Sequence, residues 1–458
     1  MTKTSTGILA CLIALFQTLN AQNNLSLQGC LQAAVENNLQ LRQGNNQLEI
    51  NEVAWIQQKF AFLPSVNAGL SLGKSFGTFV DNFTQQIATS PYTGSPNLGA
   101  TFSLFEGMAK WHSLKRSEYD LVAAKYSLED LKNDIRLSVA TAFFQTLYAE
   151  DQSSLAEQRL ELLAQQLEKV EAQVAAGTKT QGDLVAIKAQ IATEKSTLIQ
   201  QKNAYRKSLL NLLQAMNFDT QKAYLLQRPN LDSLSTNVEL PTTATIFADA
   251  VANNPGLRAK SMEVLSRKYG ISAARALYFP RLVLSYGMGS FYSSNNRPIL
   301  GVEPGPSGTI IPVYGDAKPL WTQMEENFGQ SLNLGISVPL FSNFNIRSSV
   351  TAARVGHANA LLAEENERNE LFKAIEQAYL DADAAKAQLE ANKEQLENAT
   401  LAYSYAQARF EAGLMDFYTL MDFLNNKTRA EVARVQGQYD LLLKQKILEL
   451  YKGTPFDF

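Results

Sequence analysis

Two histidines, two cysteines and no excess of basic residues set the first limits on this 458-residue chain. His112 and His357 stand on separate helix starts, with no neighbouring cysteine and no HxxxH spacing, so a zinc centre lacks its ligands. Both read as surface residues. Cys11 falls in an N-terminal apolar run, and with that run removed only Cys30 remains, which excludes an intrachain disulfide. The formal net charge of −3 leaves no basic footprint for phosphates, so nucleic acid is not a partner. No serine occupies a G-x-S-x-G turn and no other polar constellation converges. The chain therefore reads as no enzyme, with no cofactor and no metal.

Long apolar runs are also missing. The stretch Gly7 to Phe16, preceded by Lys3 and followed by "QTLNAQ", is too short to span a bilayer as a helix, but matches a secretory signal over residues 1–21. "ILAC", ending at Cys11, has too little apolar sequence before it for a lipidation site. Proline is absent from two long stretches, Pro96 to Pro229 and Pro339 to Pro455, each of which holds four glycines. Very long helices are permitted there. Apolar residues recur at spacings of three and four, as in Leu160, Leu163, Leu167, Val170 and Val174, a coiled-coil signature. Helices from about Gly107 to Ala176 and from Asn345 to Ala412 would each rise on the order of 100 Å at about 1.5 Å per residue.

The chain is built twice. "AVENNLQL" at Ala34 returns as "AVANNPGL" at Ala250, and "FLPSVNAGLSLG" at Phe62 as "YFPRLVLSYGMG" at Tyr278, both 216 residues on. Further along, "FSLFEG" matches "VPLFSN" and "QVAAGTKTQGDL" matches "RFEAGLMDFYTL", with Gly177 and Gly413 now 236 apart. The extra residues fall in "SSNNRPILGVEPGPSGTIIPVYGDAKP", a surface insertion. The organisation predicted is a signal (1–21), a first repeat (22–213, hairpin about 64–105), a linker (214–242), a second repeat (243–449, hairpin about 280–341) and a tail (450–458). Each repeat reads as a helix of about thirty residues ending at a proline (Pro64, Pro280), then a strand pair, then two long helices.

The strands alternate: Val66, Ala68, Leu70, Leu72; Leu98, Ala100, Phe102, Leu104; Leu282, Leu284, Tyr286, Met288; Leu332, Leu334, Ile336, Val338, Leu340. Between them stand mostly Ser, Asn, Gly and Thr, as in a membrane barrel wall with lipid on one side and a polar lumen on the other. Four strands cannot close a barrel, and open edges cannot face lipid, so several protomers must each contribute. Phe76, Phe79, Phe83, Tyr92, Tyr292, Tyr314 and Trp321, in or beside the hairpin loops, fit an interface girdle, a loop plug or simple loop packing. "AGLSLGKS" at Ala68 imitates a phosphate loop, but it lies in a strand and its repeat copy lacks the lysine; Lys74 is read as a barrel or loop residue.

The duplicated unit, the strand ends "LFEGM" and "LFSNF", the "AVENN" and "AVANNP" helix starts and the turns "AAGTKTQGDL" and "EAGLMDFYTL" together resemble TolC-type outer-membrane efflux proteins over essentially the whole mature chain. The resemblance implies a mainly α protein with membrane β structure: a trimer with a twelve-stranded barrel in the outer membrane, continued by an α-helical barrel across the periplasm. It implies passive export with a periplasmic adaptor protein and an inner-membrane pump, in tripartite efflux or type I secretion. The competing reading is a secreted coiled-coil scaffold or adhesin, which leaves the four alternating segments unexplained.

The resemblance also puts the turns at Gly177 and Gly413 at the periplasmic mouth, with Gly177, Thr178, Gly413 and Leu414 as adaptor-docking residues. The family's Gly-Thr-Arg-Thr-x-x-Asp-Val turn is matched by Gly177, Thr178, Lys179, Thr180, Asp183 and Leu184. In the second turn Thr419 replaces the first gate aspartate, Asp422 matches the second, and Asp416 is additional. Asp183, Asp416 and Asp422, with Lys179 as a partner across the turn, are the gate candidates. A ring of carboxylates repeated by symmetry favours cations and binds divalent ions. A charge beside a turn is otherwise simply solvated.

Overall fold

The computed structural model describes residues 23–80, 87–89, 91–222, 224–228 and 240–453. The signal 1–21 with Cys11, Phe83, the centre of the linker 214–242 and the end of the tail 450–458 lie outside the described residues. In chain order the elements are β1 (Asn23–Leu25), α1 (Leu27–Asn37), α2 (Leu39–Phe60), β2 (Ser65–Lys74), β3 (Thr78–Val80), β4 (Ile87–Thr89), β5 (Tyr92–Glu106), α3 (Ala109–Ala175), α4 (Gln181–Ala215), β6 (Tyr224–Leu226), α5 (Thr243–Asn253), α6 (Pro255–Ala276), β7 (Arg281–Gly289), β8 (Tyr292–Ser293), β9 (Ile299–Pro304), a 3₁₀ turn (Pro306–Gly308), β10 (Ile310–Tyr314), α7 (Leu320–Glu326), β11 (Gly329–Ser337), α8 (Asn345–Glu411) and α9 (Phe417–Tyr451). Helices α1 to α4 have 11, 22, 67 and 35 residues, and α5, α6, α8 and α9 repeat those lengths in that order.

The thirty-residue helices expected before Pro64 and Pro280 are each broken in two, by an asparagine that serves both pieces. Asn38 leaves the helical region (ψ 128°), its N–H closing α1 on the Ala34 carbonyl at 2.9 Å. Its side-chain oxygen then accepts from the N–H groups of Gln40 (2.7 Å) and Leu41 (3.3 Å) at the start of α2. Asn254 does the same between Ala250 and Leu257, and Pro255 opens α6 where its missing N–H costs nothing. The repeated Asn-Asn dipeptide is thus a break signal that hydrophobic periodicity does not register.

Two compact units form, each drawing on both halves of the chain. Among the described residues, one takes those up to Glu49, those within Ala123–Ser261 and those from Ala363 onward; the other takes Ile50–Val122 and Met262–Leu362. The first unit is helical apart from the parallel pair β1 and β6. There α1 buries Cys30, Leu31 and Ala34 against α3 and the end of α4, and α5 buries Ile246 and Ala250 against α8 and the end of α9. Residues at the spacing of the repeats are buried alike: Cys30 and Ile246, Ala34 and Ala250, Val139 and Ile375, Leu212 and Leu448 are all exposed by 3% or less. A fully buried aliphatic side chain of this kind stabilises by roughly 1.5–3 kcal/mol.

The second unit holds an antiparallel sheet in the order β11-β7-β5-β2, with β8 added beside β5. Register aligns the apolar residues into one face: Val66 opposite Ala100 and Ala100 opposite Tyr286, then Tyr286 opposite Leu332. The intervening row runs Asn67, Gly99, Gly287 and Ser331. Two expectations fail at the helix-proximal end. A bulge between Ser103 and Phe105 removes Leu104 from the ladder, and Phe105 pairs with Leu282 in its place. Strand β11 stops at Ser337, before Val338 and Leu340, because Pro339 lacks the N–H a ladder needs. The insertion folds as the ribbon β9–β10 and the helix α7. Lys74 ends β2 and donates to the Tyr92 hydroxyl at 3.1 Å, as a strand residue rather than a phosphate ligand.

Each long helix is entered through two consecutive left-handed residues, Gly107 and Met108 (φ 61° and 68°) directly after β5, or Asn343 and Phe344 (48° and 67°), separated from the end of β11 by the five residues 338–342. A Cβ at Gly107 would come within 2.6 Å of the Ala276 carbonyl oxygen, so only glycine fits. His112, one turn on, is half-buried rather than on the surface, packed between Trp111 and Tyr269 at ring separations of 5.1 and 6.2 Å.

Asp130 on α3 accepts a hydrogen bond from the N–H of Gly256, at the start of α6. Burial, reinforced by the negative charges of Asp134 and Glu367, pushes its carboxyl up to about 6. The folded protein therefore holds this proton to higher pH than the unfolded chain does, and stability falls as pH rises from about 4 to about 6. Asp130→Asn keeps the acceptor and removes the charge. It should raise stability by about 1–2 kcal/mol at pH 7.5, after allowance for partial solvent screening, and by about nothing at pH 4, as read by denaturant unfolding of the detergent-solubilised protein.

Candidate functional site at the two helical turns

Both helical turns belong to the helical unit. The first joins α3 to α4, the second α8 to α9. Each long helix ends on a left-handed glycine, Gly177 (φ 76°) or Gly413 (φ 74°). In the first turn Thr178 N–H reaches back to the Gln173 carbonyl (2.9 Å) and Gly177 N–H to Val174 (3.0 Å). In the second, Leu414 N–H reaches Arg409 (2.8 Å) and Gly413 N–H reaches Phe410 (3.0 Å). This paired closure satisfies the last helical carbonyls in both places. Nothing lies within 4 Å of a Cβ built on either glycine, so conformation rather than space selects it.

The next helix starts with the same two chemical groups in opposite order. Thr180 caps α4: its hydroxyl accepts from Asp183 N–H at 3.2 Å, while the Asp183 carboxylate accepts from Thr180 N–H at 2.9 Å, a reciprocal capping box. At α9 the cap is Asp416, whose carboxylate accepts from Thr419 N–H at 2.9 Å and from the Thr419 hydroxyl at 2.6 Å. Thr419 is therefore the partner of Asp416, which accounts for both departures of the second turn from the first. Hydrogen bonds from the Thr180 backbone and hydroxyl hold Asp183 below the usual carboxylate range, aided by the charge of Lys179. Bonds from the Thr419 hydroxyl and backbone do the same for Asp416. Both carboxylates are anions committed to a helix start.

Lys179 and Asp422 behave differently. The ammonium of Lys179 lies 4.2 Å from the ring centre of Phe410, which joins the first turn to the second. Phe410 in turn meets Phe417 edge-on at 6.2 Å, within a core containing Leu163, Ile187, Leu420 and Met421. Nothing in the local sequence around Phe410 signals this contact, which joins residues far apart in the chain. Asp422 is exposed and lies outside the cap. Of the docking candidates, Gly177, Thr178 and Gly413 are exposed, and Leu414 shows 71% of its surface, close to Tyr418 at 67%. The structure thus brings Lys179, Asp183 and Asp416 into one electrostatic neighbourhood. Among the described residues no group of three or more His, Cys, Asp or Glu is arranged to hold a metal ion.

The family described as "Outer membrane efflux protein" matches the chain over residues 30–217 and again over 247–453. The chain is 20% identical over 424 residues to the outer membrane efflux protein BepC of Brucella suis, covering 91% of this chain and 83% of that one. It is 21% identical to the outer membrane protein TolC of Escherichia coli, over 84% of this chain and 74% of that one. In fold it is similar to the CmeC outer membrane channel of Campylobacter jejuni, with a TM-score of 0.75 at 15% identity, covering 93% and 85% of the two chains.

Cap and charge separate experimentally at these turns. Thr180→Ala should weaken the start of α4 by about 1 kcal/mol, and Gly413→Ala should weaken the second turn by a similar amount through its left-handed backbone. Asp183→Asn and Asp416→Asn, which keep an acceptor and lose the charge, should show at pH 7 the partly reduced hydrogen-exchange protection of the first turns of α4 and α9 that the wild type shows only at low pH. Because both carboxylates titrate below the ordinary aspartate value, wild-type protection should persist as pH falls through 4 and decline only below it.

Proposed function

The chain belongs to the outer membrane efflux protein family, and from that premise we propose that three copies close one twelve-stranded barrel in the outer membrane, continued by a helical duct through the periplasm. It is an outer-membrane efflux channel. The single observation that carries the assembly is the sheet of the second unit. Its apolar face is open, with Leu70, Leu72, Leu332 and Ile336 exposed by 66–76%. Among the described residues its outer strands β2 and β11 each have one unpaired edge. Lipid satisfies the apolar face but not the edges, whose N–H and C=O groups each cost several kcal/mol unpaired in hydrocarbon. Two copies would supply eight strands, whose interior side chains fill, whereas three leave a lumen lined by the small and polar row. A secreted scaffold or adhesin would have to hide that face in water, so this alternative is not favoured.

In this reading the protomer is internally duplicated, with repeats at 22–213 and 243–449 flanking a linker. The equal helix lengths and paired buried positions support it. Export is passive, driven by an inner-membrane pump through a periplasmic adaptor, in a tripartite efflux or type I secretion assembly. The adaptor docks on the exposed rim of the two turns, at Gly177, Thr178, Gly413 and Leu414. Asp183, Asp416 and Asp422 form the acidic ring, with Lys179 holding the two turns together over Phe410. Because Asp183 and Asp416 are tied into caps, their charges are fixed in position, and Asp422 is the one free to move toward an ion.

Cysteines introduced along β2 and β11, scanned in pairs that include Asn67→Cys with Asn333→Cys, should yield under oxidation a covalent ladder ending at three chains. A ladder ending at two, or one that continues beyond three, rejects the assembly. In planar bilayers the triple variant Asp183→Asn, Asp416→Asn, Asp422→Asn should conduct with reduced cation selectivity and weaker block by divalent ions, its caps intact. Unchanged selectivity and block would remove the acidic ring and leave the duct standing.

A further inference from the structure

The middle of the sheet and its two outer edges carry the same kinds of element. In the middle, β5 pairs with β7; α3 follows β5 and α6 precedes β7. At the edges stand β11, followed by α8, and β2, preceded by α2. At the repeat spacings α8 corresponds to α3, 236 residues on, and α2 to α6, 216 residues back. The contact between α3 and α6 therefore has a counterpart face on each of the outer helices.

That inner contact is well defined. Ser266 on α6 is fully buried and donates to Asp120 on α3 at 2.5 Å. Three residues on, Tyr269 stacks on Tyr119 with ring centres 5.4 Å apart. The corresponding residues of the outer helices are Ile50 and Gly356, then Val53 and Val355. Ile50, Val53 and Val355 are each 55–60% exposed, and nothing lies within 4 Å of a Cβ built on Gly356. Positions covered inside the chain are thus bare and apolar on α2 and α8. Another flank of each outer helix is already occupied: a Cβ on Gly44 of α2 would come 2.9 Å from Leu128 of α3, and Ser261 of α6 donates to Glu364 of α8 at 2.5 Å.

We propose that neighbouring copies of the chain meet by repeating this inner contact, so that α2 of one copy lies on α8 of the next with Ile50 over Gly356 and Val53 against Val355. The occupant of the bare stripe is a second copy because the same transfer also sets the strands. Leu98 opposite Met288 becomes Leu334 opposite Leu72, and Ala100 opposite Tyr286 becomes Ile336 opposite Leu70. Apolar residues then meet apolar ones, with Gly335 opposite Ser71 in the intervening row, a match that a slip of one residue destroys. The two surfaces differ, so the contact runs head to tail and closes a ring. At the strand end the seam departs from its pattern. Asn343 carries a Cβ where Gly107 has none, and Phe60 stands in place of Ala276, so the helices are held farther apart there and the exposed Phe60 and Leu63 fill the space. The inference rests on the three-copy reading and adds to it a register and a set of contacts.

Paired cysteines in the full-length protein, oxidised in detergent, test the seam, while sedimentation of the unmodified protein counts the copies independently. Val53→Cys with Val355→Cys, and separately Ile50→Cys with Gly356→Cys, should each give a covalent ladder ending at three chains. Val53→Cys with Leu362→Cys, two turns farther along α8, should give none. Directly opposed strand residues have Cβ atoms about 4.5–5.5 Å apart, so Leu72→Cys with Leu334→Cys should also react, and Val66→Cys with Leu334→Cys, six residues out of register, should not. Gly356→Phe should lower the temperature at which the three chains dissociate, and Ile50→Ala in the same chain should restore part of the loss; on a helix face open to solvent Gly356→Phe would have no such effect. Three chains by sedimentation without a ladder from either helix pair, Leu362 reacting as well as Val355, or Gly356→Phe without effect overturns the seam and leaves the three-copy assembly standing. A single chain by sedimentation overturns both. Should a cysteine pair fail to fold, the strand pair and Gly356→Phe decide.

Discussion

Backbone hydrogen bonds at the outer edges of the β11-β7-β5-β2 sheet are the constraint on which the rest depends. Every N–H and C=O inside a bilayer must be paired by protein, and β2 and β11 each leave one row unpaired within the described chain. The apolar face makes water an unsuitable surrounding and the open edges make lipid unsuitable for a lone copy. Self-association answers both at once, because the unpaired edge on one copy has the same chemistry as the edge offered by the next. The proposed duplication fits this economy: each half of the chain supplies two strands of the order β11-β7-β5-β2 and two long helices.

The helical turns show a second constraint, the need to satisfy the first N–H groups of a helix. A threonine and an aspartate three residues apart do this at both turns, but in opposite order. Family resemblance alone presents Asp416 as surplus and Thr419 as a missing acid. Hydrogen bonding shows them as a single exchanged pair, leaving the cap intact and moving the negative charge by about one turn of helix. Capping and gating make different demands on these carboxylates, since a cap requires an acceptor and a gate requires charge.

Much of this was legible in the sequence because it is encoded locally. Alternation gave the strands, proline and glycine spacing gave the long helices to within a residue or two, and Gly177 and Gly413 gave the turns. Three features were not. The break at Asn38 and Asn254 arises because one side chain competes with the backbone for hydrogen bonds, which apolar periodicity does not register. The bulge at Ser103 to Phe105 is a property of pairing with β7, far along the chain. Lys179 over Phe410 and Arg159 beside Glu194 are likewise contacts between distant segments. A lysine one turn from an aspartate looks like half of an ion pair until the aromatic ring from the other turn is in place.

The junctions at Gly107–Met108 and Asn343–Phe344 carry a mechanical consequence. For Met108, Asn343 and Phe344 the left-handed region is a small, isolated well with no adjacent well to relax into, and Gly107 is held there by the Ala276 carbonyl and Phe279 packed against it. A helix joined to its strand in this way cannot spin freely about its own axis at that end. Torque arriving along α3 is passed through Gly107 and Met108 into β5, so the strand end of that helix acts as a clamped bearing. Along α8 the five residues 338–342 stand between the left-handed pair and β11 and can take up a twist that α3 must accommodate farther along its length.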